Sequence, residues 1–145
     1  MMKVGFTGTQ RGLTKAQSFT LAKILHKLSQ HKMSEFHHGD CIGADRKAHD
    51  MVFSLHADVK IIIHPPENET KRAFCTSDHI LPKKDYLDRN QDIVDSCHVL
   101  IACPGEEDEQ QRSGTWATVR RARKAKKNIW YIFPSGDERI EEARR

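Results

Sequence analysis

The sequence predicts an α/β protein: one open, parallel sheet of about five strands with helices on both faces, in a single domain. Three observations carry this. Short apolar, β-branched runs alternate along the chain with stretches of helical period, the pattern of strand–helix–strand crossovers. Val99-Leu100-Ile101-Ala102 has no polar alternation, as expected of a strand covered on both faces. And 145 residues are enough for one cored domain but too few for two.

In chain order, residues 3–7 read as a first strand, followed by the loop Gly8–Gly12. Thr14 begins a capping box with Gln17, and Leu21, Ile24, Leu25 and Leu28 give one apolar face, so 15–30 is a helix. Met33–His38 is a second strand. Gly39–Asp45 turns into a helix with Ala48, Met51, Val52 and Leu55 inward. Residues 59–63 are a third, strongly β-branched strand that His64-Pro65-Pro66 stops. The polar stretch 65–84 has three prolines and no periodicity, and a loop of that length suggests a lid carrying Lys71 and Arg72. Tyr86, Asn90, Ile93, Val94 and Cys97 share a helical face. The apolar strand at 99–102 follows, then an acidic loop, then a helix with Trp116, Val119 and Ala122 inward. Residues 128–133 form a fifth strand, and 137–145 are expected to fray.

Composition narrows the function. With 37% hydrophobic and 30% charged residues and no apolar run near the ~20 residues of a membrane span, the chain reads as soluble and cytoplasmic. A net charge of +4 permits anionic ligands without implying nucleic acid. The four cysteines lack C-x-x-C spacing and read as reduced thiols. No spacing among the nine histidines supports a zinc site, and no cofactor is expected.

In open parallel sheets, ligands sit outside the carboxyl ends of the strands. Three of the four segments expected there bear glycine: Gly8–Gly12, Gly39–Asp45 and Pro104–Thr115. Ser113-Gly114-Thr115 opens a helix, where unpaired N–H groups and the macrodipole favour a phosphate. Neither a G-x-G-x-x-G fingerprint nor a G-x-x-x-x-G-K-[ST] loop is present. Thr9, Gln10 and Arg11 are candidate anion donors. Asp40 ends the second strand, where dinucleotide enzymes carry a ribose-binding acid. Asp45 either caps its helix or accepts from a ribose hydroxyl. Arg89 either reaches a phosphate or pairs with an acid, and Asn90 is expected to bond backbone in the interior. The basic run Arg120–Lys127 reads as a solvated face, and the acidic run Glu106–Glu109 either pairs with it or keeps anions out of the site.

GDCIGAD-x-x-A (39–48), RNQDIVDSCHVLIACPG (89–105) and SGTWATVRRA (113–122) resemble, in the same order, the motifs of the SLOG superfamily. That group includes the DNA-processing protein A family and the lonely-guy phosphoribohydrolases. The resemblance implies a Rossmann-like sheet binding a nucleotide or nucleotide derivative at the strand ends. It implies that Gly43, Ala44 and Asp45 shape the pocket floor, that Gly114 and Thr115 bind phosphate, and that Arg89 is the family's arginine. It also suggests a homodimer or higher homo-oligomer. The phosphoribohydrolases resemble P-G-G-x-G-T-x-x-E, whereas the glutamate position here is Thr118, which cannot supply a carboxylate.

The expected function is therefore capture of a nucleotide-type small molecule, with ADP-ribose-type signals as a specific sub-class, without turnover. The expected ligand-binding residues are Gly8, Thr9, Gln10, Arg11, Gly39, Asp40, Gly43, Ala44, Asp45, Arg89, Pro104, Gly105, Ser113, Gly114 and Thr115. The alternatives are an N-glycosidic hydrolase using Asp45, Glu106 or Glu107, and a single-stranded nucleic acid binder using residues 120–127.

Overall fold

A computed structural model describes residues 1–55 and 57–143. The elements run β1 (Met2–Gly8), α1 (Lys15–His31), β2 (Met33–His38), α2 (Ala44–Ser54), β3 (Lys60–Ile63), a 3-10 turn (Glu69–Lys71), β4 (His79–Ile80), α3 (Tyr86–Ser96), β5 (Val99–Cys103), α4 (Gly114–Lys124), β6 (Asn128–Ile132) and β7 (Glu138–Glu141). They form one Rossmann-like sheet of seven strands, ordered β4-β3-β2-β1-β5-β6-β7. All neighbours are parallel except β6 and β7, which are antiparallel.

The sheet has two strands more than expected. β4 has only two residues, too few for a periodic signal, and pairs Ile62 with His79 and Ile63 with Ile80. β7 lies in the charged tail expected to fray. Ile140 pairs with Trp130 in register, and Arg123 holds Glu141 at 2.9 Å, so charge pairing and edge hydrogen bonds order Glu138–Glu141. The last two residues of the expected frayed tail, 144–145, lie outside the described residues.

Helices cover both faces. α1 and α2 pack on one side over Val4, Phe6, Phe36 and Ile101. α3 and α4 pack on the other over Leu100, Ala102, Ile129 and Tyr131. Alternate residues of β5 thus feed opposite cores, which is why that strand is apolar throughout. The α1 capping box forms as expected, with the Thr14 hydroxyl accepting from Gln17 N–H and the Gln17 side chain returning to Thr14 N–H. Gln17 is fully buried and also donates to the carbonyls of Pro104 (2.9 Å) and Ile132 (2.8 Å), joining α1 to the ends of β5 and β6.

The 65–84 stretch is docked rather than lid-like. Ala73 N–H donates to Asp40 O at 2.7 Å, Ile42 N–H to Lys71 O at 2.9 Å, and Arg72 buries its guanidinium against Asp40 at 2.8 Å. Arg72 is therefore unavailable as a lid cation. The four cysteines are free thiols, three of them buried. No helix among the described residues is long and apolar enough to cross a membrane.

Candidate functional site

The chain steps outward from β1 through β2 and β3 to β4 on one side, then returns past β1 to β5 and steps outward through β6 to β7 on the other. The seam between β1 and β5 is the switch point at which open α/β sheets leave a crevice. A cleft of about 470 Å³ opens there, within the size range of small-molecule sites. Four segments wall it: the β1–α1 loop, the β2–α2 turn, the first turns of α3, and the β5–α4 loop with the start of α4.

Of the residues predicted from sequence, Gly8, Thr9, Gln10, Arg11, Gly39, Asp45, Arg89, Gly105, Ser113, Gly114 and Thr115 line this cleft. Asp40, Gly43, Ala44 and Pro104 do not, and each has a structural role behind the wall. Asp40 sits at φ +57° with a fully buried carboxylate that accepts from Arg72 Nε (2.8 Å) and Cys75 N (2.9 Å), so it faces the 65–84 stretch and not a ribose. Gly43, at φ +87°, backs onto the carbonyls of Thr9 and Gln10. Ala44 N–H donates to Thr9 O at 3.0 Å, and Pro104 O accepts from Gln17.

The phosphate-like end is built by α4. Ser113 is extended (φ −121°, ψ 131°), and its hydroxyl accepts from Trp116 N–H at 3.2 Å. Ser113 is thus a cap. The next two N–H groups, of Gly114 and Thr115, have no protein partner among the described residues, and the Thr115 hydroxyl also has none. A Cβ at Gly114 would meet nothing within 4 Å, because that position opens into the cleft. Arg112 stands on the same rim with no ion-pair partner among the described residues.

Arg89 is 5% exposed. Its guanidinium donates to Gly39 O, to His64 O at 3.2 Å, to Asn90 Oδ1 at 2.9 Å and to Cys41 Sγ at 3.8 Å. Among the described residues, no carboxylate lies within ion-pair distance of it. Of the two roles open to Arg89, pairing with an acid is not realised among the described residues, and its buried cation lines the cleft. Asn90 does not bond backbone inside as expected. Its oxygen accepts from Arg89 at 2.9 Å, and the residue lines the cleft.

Asp45 does not cap α2, whose N-cap is Gly43 with no side-chain bond. Its carboxylate accepts from Cys41 N–H at 3.1 Å, and burial pushes its pKa up to about 6 against the opposing pull of Arg89. Burial, then Asp45, also push the Cys41 thiol up, which disfavours a thiolate.

The acidic loop, unplaceable from sequence, is pinned at three points. Glu106 enters the cleft, pairing with Arg11 through one oxygen and accepting from Trp116 Nε1 at 3.1 Å through the other. Glu107 accepts from the Ser135 N–H and hydroxyl at 3.0 and 3.1 Å. Glu109 pairs with Arg120 (3.0 Å) and Arg123 (2.7 Å), so the acidic run does pair with the basic helix. Thr118 lines the cleft, but its hydroxyl donates to Gly114 O at 3.0 Å. Sequence reasoning missed Arg112, Tyr86 and Leu87 as cleft residues, and offered Glu106 only as a candidate acid of the hydrolase alternative. Arg112 adjoins the predicted Ser113-Gly114-Thr115 and was within reach of that argument; the others depend on loop placement and on which face α3 turns to the cleft.

His38, His49 and Cys75 bring ligand atoms within 4.8 Å of one another, the one such group among the described residues. The donor set does not suit a metal. His38 Nδ1 accepts from Asp40 N–H (2.9 Å), so its proton sits on Nε2, which faces His49 Nδ1 at 3.0 Å. Ligation through Nε2 would leave that ring with no proton at all. Burial also pushes the Cys75 thiol up to about 12.

No family model matches the chain, and no curated protein matches it by sequence. Solved structures do. The molybdenum cofactor binding protein from the phototrophic bacterium Rippkaea orientalis aligns over 92% of this chain and 78% of its own, at TM-score 0.68 and 19% identity. The molybdenum cofactor carrier protein from Chlamydomonas reinhardtii aligns over 90% and 75%, at TM-score 0.66 and 19% identity. DNA processing protein A from Streptococcus pneumoniae aligns over 91% of this chain and 50% of its own, at TM-score 0.67 and 19% identity. At this identity the likeness is one of fold: the chain shares their Rossmann-like α/β fold.

Proposed function

We propose that the cleft between β1 and β5 binds a phosphate-bearing, nucleotide-derived small molecule and holds it without turnover. The observation that carries this is the open start of α4. Gly114 and Thr115 present unpartnered N–H groups and a free hydroxyl to a cleft that also contains the unpaired Arg112 and the buried Arg89. A buried guanidinium without an ion-pair partner is costly even when hydrogen-bonded, and an anionic ligand would offset that cost. The phosphate sits on the α4 N-terminus. Asn90 and the Tyr86–Leu87 wall face the remainder of the ligand. ADP-ribose-type signals are the sub-class expected from sequence, and two fold neighbours are a molybdenum cofactor binding protein and a molybdenum cofactor carrier, so both ligand classes belong in the test.

Isothermal titration against nucleoside mono- and diphosphates, ADP-ribose and molybdenum cofactor is the direct experiment. Saturable binding of at least one is expected, and no binding of any at millimolar concentration overturns the reading.

A second reading, an N-glycosidic hydrolase, is favoured by one observation: Glu106 and Asp45 put two carboxyl groups in the cleft although position 118 is a threonine. Release of free base from nucleoside 5′-monophosphates, lost in Glu106→Gln or Asp45→Asn, would establish it. Nucleic acid binding through the basic helix is less well supported, because Arg120, Arg121 and Arg123 are engaged by Glu109, Gln91 and Glu141.

A further inference from the structure

The cleft contains two places suited to an anion, and they are in different states. The first, at Gly114 and Thr115, is open. The second, formed by the Arg11 guanidinium and the Trp116 indole N–H, already holds the carboxylate of Glu106. Glu106 reaches it from a loop tied down before and after it: the Pro104 carbonyl by Gln17, Glu107 by Ser135, and Glu109 by Arg120 and Arg123. The carboxylate is therefore anchored in place and not one of many arrangements of a loose loop.

We propose that Glu106 is a specificity-determining residue that limits the cleft to ligands with a single phosphate group. This rests on the phosphate-binding reading above. Its physical basis is charge. Three guanidinium groups (Arg11, Arg89, Arg112) and two carboxyls (Asp45, Glu106) line the cleft. Arg11 is neutralised by Glu106, so the charge available to a ligand is that of Arg112 and Arg89, opposed by Asp45. One phosphate on the α4 N-terminus matches this. A second, extending toward Arg11, meets the Glu106 carboxylate at short range, and like charges in a partly desolvated cleft repel strongly. A ligand hydroxyl meets the opposite situation. Each Glu106 oxygen makes one protein bond and the side chain is 31% exposed, so it retains lone pairs able to accept from a sugar.

The test compares nucleoside 5′-mono- and diphosphates sharing a base, for each of the four bases, by titration at one ionic strength. The wild-type protein is expected to prefer the monophosphate. In Glu106→Gln, the amide oxygen still accepts from Trp116 Nε1 while Arg11 is released, and the diphosphate-to-monophosphate affinity ratio is expected to rise about tenfold or more. Arg11→Gln with Glu106→Gln removes the pair together and is expected to return the ratio to the wild-type value, which separates charge pairing from a change of shape. Unfolding midpoints of the three proteins confirm that each is folded. A wild-type preference for diphosphates, an unchanged ratio in Glu106→Gln, or a gain that survives in the double variant overturns the proposal while leaving the phosphate-binding reading standing. Absence of binding by every nucleotide overturns both.

Discussion

Two glycines show how differently one residue type acts in this molecule. Gly114 has open space where a Cβ would stand and lines the cleft. Gly114→Leu should fold normally and lose ligand binding, because the side chain projects over the unpartnered N–H groups. Matched circular dichroism and unfolding midpoints beside a titration check this, and unchanged affinity would place the phosphate elsewhere. Gly43 is the reverse case. At φ +87° and ψ −124° it occupies backbone space open to glycine, and a Cβ would collide with the Gln10 carbonyl. Gly43→Ala should destabilise the fold by about 1–3 kcal/mol, measured by urea unfolding. From sequence both are simply glycine in a turn. The residue-scale expectations that succeeded were those with a local cause, such as the Thr14–Gln17 box. The expectation for Asp40 failed because it needed a partner far along the chain: it was read toward a ribose, and its clamp, Arg72, lies 32 residues on.

At the level of elements, strands and helices with strong periodicity were legible to within a residue or two, and the short or charged ones were not. β7 illustrates why. Its sequence, ERIE, is polar, and its order comes from Arg123 on α4, which joins Glu141, Glu109 and Tyr131. Arg123→Ala should free β7 from the edge, costing about 1–3 kcal/mol and raising amide exchange across residues 138–141. Protection left unchanged would mean the β6 ladder alone holds the strand. The same arginine cluster decides how the 120–127 run is to be read. Sequence shows only a density of positive charge, whereas the fold supplies Glu109, Gln91 and Glu141 to engage it. The acidic loop was legible as acidic but not as a part of the cleft wall, since that depends on where Ser135, Arg11 and Trp116 come together.

The whole molecule carries an acid sensitivity that no single element reveals. His37, His38, His49 and His64 are buried in bonded pairs, and burial lowers the pKa of each, with His64 at about 4. In the unfolded chain these groups titrate near 6.5, so between roughly pH 6.5 and 4 the unfolded state binds more protons and folding weakens as pH falls. Asp45 opposes this, because its raised pKa makes the folded state bind the extra proton from about pH 6 downward, but it is one group against four. His64 alone should remove about 2 kcal/mol between pH 7 and 5. Urea midpoints at the two pH values are expected to differ accordingly, and His64→Gln should shrink the difference; a flat profile would mean these rings titrate in the fold as they do in the unfolded chain.

The strand order has a further consequence, for the order in which the protein assembles during synthesis. β1 precedes the other strands of this sheet in the chain and lies between β2 and β5. Its pairing with β2 needs only the first 38 residues, and α1, α2 and β3 can follow as one contiguous layer. Its other edge is completed only when Val99 reaches Val4, a closure across most of the chain. Until then an apolar edge, with Gly5 facing where Cys97 and Ile93 will pack, stays exposed. Such long-range parallel pairing is slow and prone to aggregation. The binding cleft lies on that last seam, so the half-made protein has no site, and ligand capture begins only after the two halves of the sheet have joined.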